Sequence, residues 1–425
     1  MSHNAEIIAV GTELLLGNIA NTNAQELSQA LSAVGVNVFW HTVVGDNPVR
    51  LKEALAIARS RADIIITTGG LGPTYDDMTK QTVCEAFGKP LVFHPDILET
   101  IRHYFERNTH IQMPENNRQQ AELPEGCTVF SNPVGTAPGC AFESEGVHVL
   151  MLPGPPFELR TMLENHALPY LRQLSDEVIV SHDIMTFGLG ESPMEALLRE
   201  KMSRMENPSL ATYAKPSEVR LRATAKAKSQ EAAEAMLAPV VREVTALLGD
   251  VVYGVDAEGL EHVCVKLLKE RGWTMATAES CTGGRVASRL TGLAGVSSAY
   301  RGGVVSYWTS VKGAVLGVPQ EILDQYGAVS EPCARAMAEG ACRVTGAELA
   351  VSVTGVAGPD PDERGNPVGL VYIGLATPTG TFCRTLDLGP RRRDRIQDLA
   401  TNHAFDVVRR YLTGLPVEQS PSSHP

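Results

Sequence analysis

The sequence predicts an α/β protein of three domains, and three observations favour this fold class. The chain has 425 residues, which exceeds one ordinary core because single domains usually span about 100–200 residues. Hydrophobic residues make up 43% of it and charged residues 20%, as is typical of globular proteins. Short apolar segments alternate with amphipathic ones near both ends of the chain, which is the pattern of a mainly parallel sheet with covering helices.

The first domain is predicted to span residues 1–172. Its opening elements alternate between strand and helix: they are Ala5–Gly11, Asn21–Val34, Val36–Val44, Pro48–Arg61 and Ala62–Thr68. Because strands that alternate with helices form a sheet covered on both faces, we expect a three-layer α/β domain. The loops at the carboxyl ends of its strands are then available for a ligand.

The middle and third domains are predicted at residues 176–253 and 257–415. The middle pattern is β-α-β-α and indicates a small α+β domain: its elements are Val178–Phe187, Met194–Met205, Glu218–Lys226 and Ser229–Leu248. The third domain is predicted to be α/β and to begin with a helix at Leu260–Arg271. Residues 416–425 show no apolar periodicity and are predicted to form a disordered tail.

Charge and composition argue against several classes of protein. The 37 basic and 49 acidic residues give a net charge of −12, so a nucleic-acid partner is not expected. No apolar stretch reaches the ~18 residues of a membrane span and no secretory signal opens the chain, which predicts a cytoplasmic protein with no membrane partner. The 8 cysteines are scattered, which indicates reduced thiols rather than disulfides or a zinc site.

A hydroxyl lies at a predicted strand-to-helix turn in the third domain. The strand ends at Ala278, and Ser280, Thr282, Gly283 and Gly284 precede the next helix. Free amide groups at a helix N-terminus can hold the oxyanion that forms when a hydroxyl attacks a carbonyl, and the glycines permit close approach of a substrate. The alternative is that Ser280 or Thr282 only caps the helix.

A serine nucleophile needs a base, and the sequence leaves two candidates. The chain has no Gly-x-Ser-x-Gly segment, and neither His262 nor His403 belongs to a recognisable triad motif. Tyr307 and Lys312 follow a predicted strand at Gly303–Ser306. A desolvated lysine, or a tyrosine that a lysine activates, can take the serine proton. Cys281 is a competing nucleophile, and both candidate bases could instead be ordinary surface or core residues.

A glycine-rich loop of the first domain carries the features of a phosphate site. Gly69, Gly70 and Gly72 follow a predicted strand, and Asp76 precedes the next helix. Backbone amides in such a loop can cradle a phosphate, and carboxylates beside a phosphate usually act through a divalent metal. Asp76 is the first candidate ligand of this metal and Asp46 the second. The alternative for Asp76 is a helix cap.

Several segments of the third domain together resemble one known family. These segments are Ala278–Gly284, Tyr307 with Lys312, Gly327–Pro332, Thr354–Pro359 and Pro367–Gly369. They resemble the nicotinamide-nucleotide amidase domain of the CinA (competence/damage-inducible protein A) family. The resemblance covers nearly the whole chain, and it implies a molybdopterin-binding-like first domain and a KH-like middle domain.

The resemblance implies a reaction and roles for individual residues. Nicotinamide mononucleotide (NMN) and water would give nicotinate mononucleotide and ammonia, with Ser280 as nucleophile, Tyr307 and Lys312 activating it, and no cofactor. Thr354 and Gly355 would contact the substrate, unless they are simple turn residues. Arg391 and Arg395 would bind its phosphate through bidentate hydrogen bonds, unless they form a solvated basic face. Trp308 and Thr309 depart from the family's usual Ser-Asn.

The resemblance also assigns a second activity to the first domain. Gly11–Gly17 and Leu152–Pro156 resemble segments of molybdopterin-binding domains. In CinA-type proteins, such a domain is associated with metal-dependent hydrolysis of ADP-ribose. Glu13 would contact the ribose or the metal, or cap a helix. The middle domain has no Gly-x-x-Gly loop, which a KH nucleic-acid clamp requires. A homodimer is expected. The alternatives to an enzymatic function are a non-catalytic partner of a recombinase and a molybdopterin-binding protein.

Overall fold

The computed structural model describes residues 3–108, 111–174, 177–215 and 218–418. Contacts divide the chain into two units, and each is described by itself. The first unit holds residues up to 180 together with 225–235, and the second holds residues 181–224 and those from 236 onward.

A six-stranded sheet forms the centre of the first unit. The strands of this unit are β1 (Asn4–Val10), β2 (Asn37–Val44), β3 (Ile64–Thr68), β4 (Leu91–Phe93), β5 (Glu122–Pro124), β6 (Thr128–Phe130), β7 (Gly139–Ser144) and β8 (Val147–Leu152). The six-stranded sheet has the order β2-β1-β3-β8-β7-β6, and β4 pairs with β5 separately. Strands β2, β1, β3 and β8 run parallel, whereas β7 and β6 add an antiparallel edge that the sequence analysis did not predict.

Helices cover both faces of this sheet. They are α1 (Thr12–Leu15), α2 (Thr22–Ala33), α3 (Pro48–Arg59), α4 (Thr79–Ala86), α5 (Pro95–Asn108), α6 (Pro156–Met162) and α7 (Leu168–Arg172). Successive residues of β1 point to opposite faces, so Ile7 packs with Leu27 of α2 while Ile8 packs with Leu51 of α3. Both faces are therefore buried, and the predicted three-layer arrangement is confirmed.

The middle segment has two more strands than the sequence pattern indicated. Its elements are β9 (Val178–Phe187), α8 (Glu191–Arg204), β10 (Ser209–Lys215), β11 (Glu218–Ala227), α9 (Gln230–Leu248) and β12 (Val252–Val255). The sheet order is β10-β11-β9-β12, so the two missed strands lie at its edges. An edge strand pairs on one side only and needs no continuous apolar run, which is why its pattern is weak.

The third domain contains a five-stranded sheet of order β14-β13-β15-β16-β17. Its elements are α10 (Leu260–Arg271), β13 (Met275–Glu279), α11 (Arg285–Thr291), β14 (Tyr300–Val305), α12 (Thr309–Ala314), α13 (Gln320–Gln325), α14 (Glu331–Thr345), β15 (Leu349–Gly355), β16 (Leu370–Thr377), β17 (Gly380–Asp387) and α15 (Arg393–Leu412). Strands β14, β13 and β15 are parallel, and β16 and β17 are antiparallel. Among the described residues, no helix combines the length and apolarity that a membrane crossing needs.

Buried ion pairs fix the long helix α15. Arg384 of β17 and Asp406 of α15 are both fully buried, and 2.8 Å separates their charged atoms. Arg409 donates to the same carboxylate at 2.7 Å and to the carbonyl of Asp250 at 2.9 Å. Since breaking a buried pair leaves an uncompensated charge, these contacts hold α15 against β17 and against the turn that follows α9.

The predicted disordered tail is wrong for its first residues. The Val417 side chain is 7% exposed, and its carbonyl accepts a hydrogen bond from Arg384 Nε at 2.9 Å. The carbonyl of Pro416 accepts from Arg410 Nε at 2.6 Å. The backbone of Pro416 and Val417 is therefore held in place, because two buried arginines use their carbonyls as acceptors. Residues 419–425 lie outside the described part of the chain.

Candidate functional site

Three parallel strands of the third domain end at the same edge of the sheet. Glu279, the last residue of β13, is in register with Val305 of β14 and Val353 of β15. The residues that follow these strand positions, Ser280 and Thr354 among them, therefore lie at one edge. The carboxyl ends of parallel strands are where α/β sheets hold their ligands.

Lys312 of α12 contacts the hydroxyl of Ser280. Its Nζ lies 3.0 Å from Ser280 Oγ and also donates to the carbonyl of Ser306. The side chain is 1% exposed, and this burial lowers the pKa of Lys312 below that of an ordinary lysine because the charged form loses its hydration. A neutral amine beside a hydroxyl can take its proton, so the pair has the geometry of a nucleophile and a base.

Tyr307, the other predicted base, lies at the rim of this site. It is 57% exposed, and its hydroxyl accepts a hydrogen bond from Arg393 at 2.9 Å. The same guanidinium donates to the carbonyl of Gly358 at 2.8 Å. Arg393 thus ties two loops together beside the site. Arg393 was not among the predicted site residues, which were Arg391 and Arg395 of the same basic run.

The buried carboxylate of Glu279 organises the turn that carries Ser280. It accepts hydrogen bonds from the amides of Gly284, Val286 and Ala287 at 3.0, 3.1 and 2.8 Å, and from the Thr282 hydroxyl at 2.7 Å. The prediction that the amides at the start of α11 are free for an oxyanion is therefore wrong for these three. Glu279 occupies them because a carboxylate is the strongest acceptor available at a helix N-terminus.

The helix-cap alternative for Ser280 and Thr282 is also wrong. The cap residue of α11 is Gly284, and no side chain hydrogen-bonds as its cap. Gly283 and Gly284 have φ values of +62° and +99°, which favour glycine. The Ser280 amide donates to the Val353 carbonyl at 2.9 Å. The Cys281 amide interacts with its own thiol. Within the described ranges, no carbonyl accepts from the Thr282 amide, which leaves it as the candidate donor for an oxyanion.

Cys281 is a poor competitor for Ser280. Its side chain is 5% exposed, and burial raises the pKa of its thiol to about 12. The thiolate is the reactive form of cysteine, so this thiol is unreactive near neutral pH. Its backbone is held in place, since Gln397 of α15 donates to the Cys281 carbonyl at 2.8 Å.

Thr354 and Gly355 are positioned by packing. The Thr354 side chain is buried, and its hydroxyl donates to the carbonyl of Ala328 at 2.6 Å. A Cβ atom at Gly355 would lie 2.6 Å from the carbonyl oxygen of Leu370 on the neighbouring strand. Glycine is thus required at position 355 because β16 approaches closely. The Thr354 hydroxyl oxygen keeps lone pairs that can accept a hydrogen bond from a substrate.

The structure separates the two arginines that the sequence analysis selected. Arg391 donates from Nε to the Leu388 carbonyl at 2.8 Å and lines a cavity that does not include Ser280. The Arg395 guanidinium has no hydrogen bond or ion pair with any residue that the structure describes. Their spacing in the sequence could not show this, because Arg391 precedes the helix and Arg395 lies within its first turn.

The predicted site residues of the first domain surround one cavity of about 580 Å³. This cavity lies at the carboxyl ends of β1, β3 and β8. Six predicted residues line it, namely Glu13, Asp46, Gly69, Gly70, Gly72 and Asp76. The structure therefore brings together residues from three separate loops that the sequence analysis had selected one by one.

Close backbone contacts require glycine in this loop. Gly69 has a φ of +101°, and a Cβ atom there would lie 2.2 Å from the carbonyl oxygen of Val10. Gly70 has a φ of +67°, and its Cβ atom would lie 2.2 Å from Thr79 Oγ1. Any larger residue would push β3 away from its neighbours, so the glycines shape the wall of the cavity.

The carboxylates of this cavity hold the loops and keep free acceptor capacity. Asp46 Oδ2 accepts from the Thr12 amide at 2.9 Å and from its hydroxyl at 2.7 Å. Asp76 Oδ1 accepts from the Thr74 hydroxyl at 2.5 Å. Helix α4 has no side-chain cap, so the capping alternative for Asp76 is wrong. Helix α1 likewise has none, which removes that role from Glu13.

The residues present fit a cation that shares its ligands with a substrate. Among the described residues, no group of three or more His, Cys, Asp and Glu side chains could hold a metal ion alone. Mg²⁺ is commonly held by one or two carboxylates, with phosphate oxygens and water completing its shell. Asp46 and Asp76 match that mode of binding.

Glu158 also lines this cavity, and the sequence analysis missed it. Its carboxylate accepts from Asn132 Nδ2 at 2.7 Å, and burial raises the pKa of Glu158. It lies in the first turn of α6, where an acidic residue is common for helix stability alone. Its local sequence therefore gave no signal.

Family models match the chain in three successive segments. Residues 6–173 match "Probable molybdopterin binding domain", residues 181–254 match "Damage-inducible protein CinA KH domain", and residues 257–412 match "CinA C-terminal domain". The domain order inferred from the motifs is therefore confirmed, and with it the α/β fold class with a small KH-like domain between two α/β domains.

Related proteins share nearly the whole length of the chain. A "Putative competence-damage inducible protein" from Acetivibrio thermocellus is 48% identical over 412 residues, covering 97% of this chain and 99% of the relative. A "CinA-like protein" from Dictyoglomus turgidum is 46% identical over 410 residues, covering 96% and 99%. A solved structure titled "The crystal structure of the protein CinA with unknown function from Thermoplasma acidophilum" is 34% identical with a TM-score of 0.36, covering 38% of this chain and 95% of that chain.

Replacing the carboxylate of Glu279 should destabilise the third domain. A Glu279→Gln variant leaves buried amides with a weaker acceptor, so we expect the free energy of unfolding to fall by about 2–4 kcal/mol. Urea denaturation of both proteins measures this. The control is Glu363→Gln, because Glu363 is exposed in a loop. Equal stability of Glu279→Gln and the control would contradict the role given to Glu279.

Proposed function

The chain belongs to the CinA family of competence-damage inducible proteins, and we propose that its third domain hydrolyses NMN to nicotinate mononucleotide and ammonia. The observation that carries this proposal is the contact of 3.0 Å between Lys312 Nζ and Ser280 Oγ. The names of the relatives state no reaction, so the support comes from this pair and from the motif resemblance.

The proposed chemistry proceeds through an ester on Ser280. Neutral Lys312 takes the hydroxyl proton while Oγ attacks the carboxamide carbon. The Thr282 amide stabilises the oxyanion. The protonated lysine returns the proton to the departing nitrogen, and ammonia leaves. Lys312 then takes a proton from water, whose oxygen attacks the ester, and Oγ recovers a proton as the acid is released.

Substrate binding is assigned to groups at the rim of the same edge. Tyr307 presents an exposed ring that Arg393 holds, and a planar pyridinium ring can stack on it. The guanidinium groups of Arg393 and Arg395 supply positive charge for the phosphate. The Thr354 hydroxyl oxygen can accept a hydrogen bond from the carboxamide nitrogen.

Removing the nucleophile should abolish ammonia release. With NMN as substrate and a chelator present, we expect the kcat of Ser280→Ala to fall by about 10³-fold or more. Cys281→Ala is the matched control at the next position, and it should retain activity because that thiol is buried and protonated. Full activity in Ser280→Ala would contradict the proposal, and loss of activity only in Cys281→Ala would transfer the role to the cysteine.

The pH profile should report the titration of Lys312. Only the neutral amine is a base, so kcat/KM should rise with pH and level off below the pKa of an ordinary lysine, since burial lowers the pKa of Lys312. Lys312→Arg should be inactive over the whole range, because a guanidinium keeps its proton. Lys266→Arg, at an exposed position of α10, is the control. A wild-type kcat/KM that stays constant with pH below the pKa of an ordinary lysine would contradict the assignment.

For the first domain we propose metal-dependent hydrolysis of ADP-ribose to AMP and ribose 5-phosphate. The observation that favours it is the single cavity that collects Asp46 and Asp76 with the glycine loop. A divalent metal held there would neutralise the pyrophosphate and polarise it. The loop amides would bind phosphate oxygens, and Glu13 would accept a hydrogen bond from a ribose hydroxyl.

Loss of one carboxylate should separate this activity from the other. We expect Asp76→Asn to lower the metal-dependent rate of AMP formation by at least about tenfold, with ammonia release from NMN unchanged. Asp96→Asn is the control, because Asp96 is an exposed residue of α5 that does not line the cavity. A rate in Asp76→Asn equal to that of the control would rule out Asp76 as a ligand.

The remaining expectations concern partners and location. The homodimer and the recombinase partner stay predictions that follow from the family resemblance, and the cytoplasmic location stays a prediction from the sequence pattern. If both activities were absent from the purified protein, stable binding to a recombinase would favour the non-catalytic role. A pterin found in the purified protein by mass spectrometry would favour molybdopterin binding.

A further inference from the structure

A second cavity of about 560 Å³ lies within the second unit. One wall is the loop from Phe187 to Glu191, which joins β9 to α8, and the other is the connection from Thr385 to Arg391 together with His403 of α15. Its volume is in the range of small-molecule sites. It shares no lining residue with the first-domain cavity, and Ser280 and Lys312 do not line it.

His403 is an unpartnered polar group in the wall of this cavity. Its side chain is 8% exposed. No hydrogen bond joins its ring nitrogens to the described residues, and Nδ1 is completely buried. Burial lowers the pKa of His403 to about 4, so the ring is neutral near pH 7. A neutral imidazole has one donor and one acceptor, and buried groups of this kind normally have partners.

The apolar residues beside His403 suit a flat ring. Phe187 meets the imidazole edge to face, with 4.8 Å between ring centroids. Leu189, Leu386 and Leu399 complete this part of the wall. A heteroaromatic base has apolar faces and a polar edge, so it can pack against the half-buried Leu189 and Leu399 and hydrogen-bond with His403.

The cavity also offers positive groups for an anion. The exposed guanidinium of Arg391 lines it. Helix α8, which is 14 residues long, begins at Glu191 after Gly190 and has no side-chain cap. No side chain occupies its first amides, although the Glu191 carboxylate lines the same cavity. A phosphate beside these amides and a guanidinium is favourable.

Carboxylates of the cavity can receive hydroxyl groups. Asp387 accepts from the Gly389 amide at 3.1 Å, and Glu218 accepts from the Tyr253 hydroxyl at 3.2 Å. Each carboxylate has about four acceptor positions, so both can take further hydrogen bonds. An acidic residue that binds ribose hydroxyls is a recurring part of nucleotide sites.

We propose that this cavity binds a nucleoside monophosphate. The base packs against Leu189 and Leu399 and hydrogen-bonds with His403. The ribose hydroxyls donate to Asp387 and Glu218, and the phosphate is held by Arg391 and the first amides of α8. The site is separate from both proposed active sites, and its existence does not depend on either proposed activity.

Photolabelling of the full-length protein with 8-azidoadenosine monophosphate tests this proposal. We expect the label on residues of Phe187–Glu191 or Thr385–Arg391 or on His403, and not on Arg393 or Arg395 of the proposed NMN site. We expect unlabelled AMP to compete at least about tenfold better than adenosine or inorganic phosphate, because each of these lacks half of the contacts. Label found only on other residues would overturn the proposal. Adenosine competing as well as AMP would overturn the assignment of a phosphate.

Two variants and one control make the test specific. Leu189→Trp fills the cavity and should remove the label from these residues, whereas Leu197→Trp places the same residue on an exposed position of α8 and should leave it unchanged. His403→Phe keeps the ring shape but removes both nitrogens, and it should weaken labelling. This variant keeps the test decisive if Leu189→Trp fails to fold. Unchanged labelling in His403→Phe and in a folded Leu189→Trp would overturn the proposal.

Discussion

The carboxylate of Glu279 is the interaction on which the proposed active site of the third domain depends. It lies buried at the end of a central strand and accepts four hydrogen bonds from the turn and helix that follow. A buried charge is tolerable only when its hydrogen bonds are satisfied, and the partial positive charge of a helix N-terminus provides that environment. The turn is therefore held in one conformation, with the Ser280 hydroxyl directed to the amine of Lys312.

The first and third domains place their candidate residues by the same rule. In each sheet, neighbouring parallel strands end together, so short loops from distant parts of the sequence meet at one edge. The loops differ in how they are held. Asp46 and Asp76 fasten the first-domain loops to threonines, whereas a buried acid and a buried lysine define the third-domain site. The first arrangement leaves carboxylate oxygens for a cation, and the second excludes water from the base.

Helix α15 connects several of these features. Its first turns bring Arg393 to Tyr307 and Gln397 to the Cys281 carbonyl, and its middle contributes His403 to the second cavity. Its later turns are fixed by the buried Asp406 and its two arginines. Because a helix transmits displacement along its axis as a rigid body, the packing of its C-terminal half sets the position of the residues at its N-terminal half.

The sequence by itself determined the alternation of strands and helices, the glycine loops, and Ser280 and Lys312 as candidates, because periodicity and turn chemistry are local properties. It also selected Asp46 and Asp76, which line one cavity, since both follow strands of a parallel sheet. Only the tertiary structure decided that Lys312 rather than Tyr307 contacts Ser280, that Glu279 occupies the helix amides, and that Arg393 faces the site. These outcomes depend on burial and on contacts between residues far apart in the chain, and neither spacing nor residue type specifies which side chain of a run will face its partner.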